Sequence, residues 1–464
     1  MAQVTVFDSV LVGNLFGTEE IRDCFCESAY VANLVKAEVA LAQAEEAEAI
    51  IPAGVAAAIR EHCADVWRLD WALLGLRTEA VGDPVLPLVE QMAELVPDEL
   101  SGYIHWGASS QDMMDLASTL QMQQGLAITE TLLRKITSTL TRMALAYRDV
   151  PMAGRTHAQH AAPITFGYKC GVWLASFQRH LARLTHLQAT SLLAQFGGAA
   201  GSLASLSLAR GPSTDAAAAA SAIRVRRRIA HLLGLTDPVI SWHTARDTVA
   251  DITNFLALVG GSLGKLAQDL LLLSSAEVGE VAFAEPDTPA SLPALPLLPL
   301  QRNRPLPAEA MLAASKLVRA QASLVLDAMV SASEGGGGPW RLEWAAVPTA
   351  FMALVGGLQQ ADLALAGLHV NQDAMLRNLR STRGLVVAEA VALRLARFLG
   401  RSEAGEIVRA ACAVVSDEGV SLFQALERQE RVVGLLGGEE LEDLCDPTRY
   451  LGCCGPMVDE LVGN

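Results

Sequence analysis

From Ser109 to Met143 the chain runs without a proline, with apolar side chains at helical spacing: Met114, Leu120, Leu126, Ile128, Leu132, Ile136, Leu140 and Met143. A helix that long exceeds the ordinary globular range and needs a packing partner along its whole length. Ser109-Ser110-Gln111-Asp112 opens it with residues suited to cap a helix N-terminus. Comparable stretches follow at residues 165–190, 244–275, 309–333 and 340–376. Five such helices with short links predict an elongated bundle in an all-α protein. They carry more apolar surface than one bundle core consumes, so burial against other copies of the chain is expected.

Upstream, the spacing of Val31, Leu34, Val35, Val39 and Leu41 predicts an amphipathic helix over residues 28–49. Pro52 is placed to open another helix in its first turn, and Gly82-Asp83-Pro84 marks a turn. The change of character near residue 106 and the end of the last long stretch predict three domains: residues 1–105, 106–375 and 376–464. The last is interrupted at Gly400, Gly434–Gly438 and Pro447. Two segments stand apart. Pro286–Pro307 is dense in proline and leucine and reads as a stiff strip without regular structure. Gly335–Gly338 reads as a flexible joint.

Composition narrows the function. Hydrophobic residues make up 51% and aromatics 5%, and the Ala and Leu share favours helix over sheet. A formal charge of −16 argues against nucleic acid, whose binding depends on neutralising phosphates. The short basic run Arg224–Arg228 fits a solvated helix face or a subunit contact. Eight cysteines without a CxxC pair, two sets of them nearly adjacent, read as reduced thiols of a cytoplasmic protein. Met1–Gly13 has no basic segment followed by an apolar core, so no signal peptide is expected. The uncharged run Leu187–Ala209 contains Gly197, Gly198 and Gly201 and several polar residues, which suits a buried turn better than a membrane span.

One short stretch points to chemistry. Gly154-Arg155-Thr156-His157-Ala158-Gln159-His160 lies between Pro151 and Pro163, so it is expected to break two long helices and present Thr156 and His157 at a helix end. A hydroxyl, an imidazole and open backbone N–H groups suit an anion that must gain or lose a proton; the same residues would also make a plain polar elbow. His157 and His160 have the spacing of a metal pair but no third ligand nearby, so neither metal nor organic cofactor is expected.

Three blocks then fall into a familiar order. His105-Trp106-Gly107-Ala108-Ser109-Ser110-Gln111-Asp112 with Asp115, Gly154–His160 with Pro163, and Trp242-His243-Thr244-Ala245-Arg246-Asp247 resemble the fumarase/aspartase superfamily, closest to the 3-carboxy-cis,cis-muconate cycloisomerases and next to adenylosuccinate lyase. Phe196–Leu203 matches the same subgroup, and the resemblance spans nearly the whole chain. It implies a three-domain, all-α homotetramer around a central 20-helix core, with each active site drawing on three subunits. It implies a small anionic substrate and a proton lost next to a carboxylate, with C–N or C–O cleavage or its reverse. Carried over by motif, Ser109, Ser110, Gln111 and Thr156 hold carboxylates, His157 is the general acid, and His105 is a second active-site histidine. His105 could equally be a packed core residue. His243 and Arg246 could line the site or pair with Asp247 and neighbouring carboxylates.

The fourth block of the family, a Gly-Ser-Ser loop whose second serine is the base, is replaced. Its register ends in Pro299-Leu300-Gln301-Arg302-Asn303, which puts Ala294-Leu295-Pro296 in the place of Gly-Ser-Ser and Gln301 in the place of lysine. Leucine and proline cannot accept a proton. Ser291 or Thr288 could supply a displaced base, Arg302 or Arg304 the missing charge, and Asn303 keeps its place. Three readings follow: a divergent lyase of specialised metabolism, a cycloisomerase with a relocated base, or a non-catalytic homologue that binds a ligand or partner subunit.

Overall fold

A computed structural model describes residues 5–208, 216–284, 304–335 and 338–463. The chain is mostly helical, with four short strands among the described residues. The expected long helices are present as Ser110–Ala146, Phe166–Ser191, Asp247–Ser274, Leu306–Ala328 and Leu342–Ala366. The last is shorter than the pattern predicts: Leu368–Val370 forms a strand, and Gln372–Arg380 a separate helix capped by Asn371. Pro52 does not open a helix. Gly54, at φ 106°, turns the chain first, and the helix starts at Val55. Among the described residues Asp247–Ser274 alone is long and apolar enough to cross a membrane, and half of its most apolar window is buried within the chain. The uncharged run leaves helix after Ser191, bridges Leu193 to Thr236 and is buried through Gly198, but Ala199, Ala200 and Ser202 beyond it are exposed, so only its first part is the buried turn expected.

The chain divides into two compact units. The first comprises Met1–Leu133, His180–Gly264 and Ala310–Gln360. In it the helix Glu27–Ala47 buries Val31, Leu34, Val35, Leu41 and Ala42 on one stripe. Each fully buried leucine contributes about 1.5–3 kcal/mol. Glu38 and Glu45 fall on the same stripe and are buried with it. The helix from Ser110 begins with a reciprocal cap: the Ser109 N–H and Oγ–H donate to Asp112 Oδ2 at 3.0 and 2.9 Å, and the Asp112 N–H donates back to Ser109 Oγ at 3.3 Å. Gly125 lies where this helix passes Phe351; a Cβ there would come within 2.7 Å of that ring.

The second unit comprises Arg134–Arg179, Lys265–Glu309 and Ala361–Asn464. Its C-terminal helices close over Val391, Leu395, Val408, Val415, Leu422 and Leu426. Here the expected helix break at 154–160 takes a different form. It is an antiparallel hairpin, β1 Pro151–Thr156 and β2 Gln159–Thr165, with Met152 opposite Ile164 and Thr156 opposite Gln159. A second short pair, β3 Val281–Phe283 and β4 Leu368–Val370, joins two distant stretches.

Candidate active site

In the first unit, a cavity of about 380 Å³ opens at the N-terminus of the Ser110–Ala146 helix, lined by Ser109, Gln111, Gly198, Ala199, His243 and residues 333–335. One buried carboxylate builds its wall. Besides Ser109, Asp112 accepts from the Gly197 and Gly198 N–H groups at 2.8 and 2.9 Å and from Gln195 Nε2 at 3.1 Å. The glycine turn and the helix start are thereby fixed together. The helix N-terminus leaves its first N–H groups pointing out with partial positive charge, a natural seat for a carboxylate.

Not every predicted ligand-holder is free to act. Gln111 donates from Nε2 to the His243 carbonyl at 2.7 Å and lies 3.4 Å from Asp115 Oδ2. His243 donates from Nε2 to the Glu334 carbonyl at 2.9 Å. A carbonyl can only accept, so the neutral ring carries its proton on Nε2 and its lone pair on Nδ1. Nδ1 is buried without a partner, and a Cβ at Gly201 would meet the ring at 2.4 Å.

Arg246 pairs with neither Asp247 nor open solvent. Its guanidinium donates to both oxygens of Asp115 at 2.8 and 2.9 Å and to Glu343 at 2.9 Å, and it stacks 4.9 Å from Trp242. Burial works against its charge, but the two carboxylates outweigh that and hold its pKa above the ordinary value. Burial likewise pushes Asp115 and Glu343 up, opposed by Arg246.

His105 also belongs to the first unit, behind the cap. Its Nδ1 lies 2.6 Å from Glu38 Oε1, and both side chains are largely buried. Burial alone would lower its pKa; the hydrogen bond and charge of Glu38, with Asp112 and Asp83, raise it above the usual value. Its backbone is left-handed at φ 60°, a conformation non-glycine residues adopt only under constraint. Glu38 Oε2 and both oxygens of Glu45 are buried without partners, and burial, then the charge of Glu38, push Glu45 to a pKa of about 9.

Thr156 and His157 are carried by the second unit, exposed at the hairpin tip. His157 at φ 52° and Ala158 at φ 60° form a two-residue turn with both central residues left-handed, a geometry usually given to Asn-Gly. The strand just below the tip is held by a buried carboxylate. Arg155 donates to Glu280 at 2.9 Å, and Asn378 donates to the same buried carboxylate at 2.8 Å. A Cβ at Gly154 would lie 2.5 Å from the Ala162 carbonyl oxygen, so only glycine lets the strands close there. His160, one pair below the tip, is held below its normal pKa by burial and Arg155.

Ser291, Thr288, Arg302 and Asn303 lie outside the described residues; Arg304 is described and exposed. Sequence reasoning missed Glu38, Glu45, the wall-building role of Asp112, and Glu280. A signal existed for the first two: they sit at positions 38 and 45 of the apolar stripe that includes 31, 34, 35, 41 and 42, where a carboxylate does not belong without a reason.

A helical fold with a pocket at a long helix's N-terminus, and histidines set in constrained backbone, suits acid–base chemistry on an anion. Comparison with known proteins carries this further. Residues 17–293 match a family described as "Lyase", and residues 384–461 match "Adenylosuccinate lyase C-terminus". The chain belongs to the fumarase/aspartase superfamily of lyases and cycloisomerases. It is 38% identical to trans-aconitate decarboxylase 1 of Mycosarcoma maydis over 98% of this chain and 88% of that protein. It is 33% identical to 3-carboxy-cis,cis-muconate cycloisomerase of Acinetobacter baylyi over 98% of each. A fumarate lyase from Mesorhizobium sp. BNC1 superposes with a TM-score of 0.87 at 42% identity, covering 97% of this chain and 98% of that one.

Proposed function

We propose that the chain forms and quenches a carbanion next to a carboxylate of a small polycarboxylate, in a homotetramer of three-domain subunits working in the cytoplasm. The observation that carries this is the cavity at the start of the Ser110–Ala146 helix, where Ser109, Gln111 and His243 converge. Its helix N-terminus, with Ser110, holds the carboxylate into which the electron pair delocalises. Thr156 and His157 come from another subunit, with His157 as the acid. Exposed apolar residues on the long helices, among them Val172, Leu258 and Leu326, support burial against further copies. His105 is the second proton carrier, Ser291 a displaced base, and Arg302 and Asn303 substrate contacts.

In the lyase and cycloisomerase reading, a base removes a proton beside the carboxylate and the electron pair expels a C–O or C–N bond; lactone formation is the reverse. Leu295 and Pro296 in the register of the base loop favour a second reading. In a decarboxylation the C–C bond to one carboxylate breaks, CO2 leaves, and the carbon keeping the electron pair takes a proton from an acid. That reaction needs His157 but no serine base.

The test offers 3-carboxy-cis,cis-muconate and trans-aconitate to the purified protein, following ultraviolet absorbance in the first case and CO2 release in the second. Turnover of one is expected, and His157→Asn should reduce it by about 10²–10⁴-fold. No turnover of either, with an anion such as succinate still raising Tm, would leave the chain a binding homologue. Unchanged turnover in the His157 variant would remove that residue from the chemistry.

A further inference from the structure

The first unit holds a second cavity, of about 510 Å³, that the proposed reaction does not use. Its size is that of a small-molecule site. Trp71, Trp242, Trp340 and Trp344 line it, four of the chain's seven tryptophans, in a protein where aromatics are only 5%. Such a concentration marks a recognition surface more than general packing. The indole N–H of Trp71 is already spent on the Val66 carbonyl at 3.1 Å, and Trp340 and Trp344 meet edge to face at 5.4 Å. The rings therefore offer the cavity π-surface and little hydrogen bonding.

Charge selects the ligand. Among the described residues Arg246 is the only cation lining the cavity, and Asp115 and Glu343 both bind it; Arg341 lies 5.4 Å from the Trp344 ring. Glu27 and Glu79 also line the cavity, are exposed, and have no ion-pair partner among the described residues. Among the described lining residues four carboxylates thus accompany one guanidinium. A small polycarboxylate is repelled from such a wall, whereas a cation gains from ring faces and carboxylates together.

We infer that this cavity binds an organic cation, an ammonium group carried on an apolar or aromatic body. The site is separate from the anion pocket but joined to it, because Asp115, on its wall, lies 3.4 Å from Nε2 of Gln111. The two cavities sort ligands by sign, and a cation settled against Asp115 competes with Arg246 and Gln111 for that carboxylate.

Benzyltrimethylammonium, titrated into the full-length protein, should give a saturable change in tryptophan fluorescence, while the neutral benzyl alcohol should not. The double variant Glu27→Gln/Glu79→Gln changes only exposed side chains, and should weaken the cation by about tenfold or more, read by fluorescence and calorimetry. Trp340→Leu should weaken it as well. The inference is overturned by no saturable response to the cation, by equal binding of benzyl alcohol, or by an unchanged Kd in the double variant. None of these outcomes depends on whether the other cavity turns over a substrate.

Discussion

His105 and His157 are both candidate proton carriers, and the protein treats them in opposite ways. His105 is largely buried and gripped by Glu38, with Glu45 behind on the same helix face. His157 is exposed at the tip of a ribbon, with its backbone strained and its ring offered outward. Both have a left-handed φ, so constraint alone does not separate them. What differs is the source of the constraint: a charge partner beside the ring in one case, a hairpin anchored just below its tip by Arg155 and Glu280 in the other. A buried partner tunes when a proton is held. An anchored tip fixes where the ring is presented.

Removing the partner should break this contrast most strongly. Glu38→Gln keeps an amide oxygen near Nδ1 but loses the charge, so the pKa of His105 should fall. Because that pKa is raised in the folded state, the stabilisation it brings is complete below the ordinary histidine value and is lost as pH rises through the folded value. The variant should lose about 1–3 kcal/mol near pH 6, seen in denaturant unfolding. The pH limb of turnover assigned to protonated His105 should also move to lower pH, where a purely structural role would leave it in place.

Glu45 sharpens the comparison from behind. Its carboxyl is raised from 4.5 to about 9, so the folded protein keeps a proton that the unfolded chain releases. Stability is unaffected by this group below pH 4.5, falls by up to about 1.4 kcal/mol per pH unit above it, and levels off past about 9. Glu45→Gln should therefore raise Tm by a few degrees at pH 8.5 and hardly at all at pH 4.5, as a pair of calorimetric scans would show.

The smallest effect concerns the other histidine. Ala158→Gly should relieve left-handed strain at the hairpin tip by about 1 kcal/mol, giving a slightly higher Tm. If the tip positions His157, turnover should fall at the same time, because relaxed backbone spreads the ring over more orientations.

Much of the fold could be read directly from the chain. Long helices announce themselves through period and caps, and the Ser109–Asp112 start was visible as four residues. The hairpin was not. His-Ala lacks the Asn-Gly signature of a tight turn, Pro163 sits inside a strand, and the ribbon is held by Glu280 and Asn378, more than a hundred residues away. Such anchors leave no local trace. Arg246 teaches the same lesson: the chain left open whether it lines the site or pairs with Asp247 and neighbouring carboxylates, and its carboxylates come from Asp115 and Glu343, 131 and 97 residues distant. The anion pocket was legible as residue types, while the allotment of each donor was not. Gln111 looked free and is committed to the His243 carbonyl.

The Asp112 clamp also sets which part of the pocket is held in place. With Gly197, Gly198, Gln195 and Ser109 all tied to one carboxylate, that side of the cavity is a fixed jamb. Residues 333–335 line the cavity too, and there the His243 ring donates to the Glu334 carbonyl. Rearrangement of the pocket on ligand binding is expected at residues 333–335 and not at the wall that Asp112 ties together.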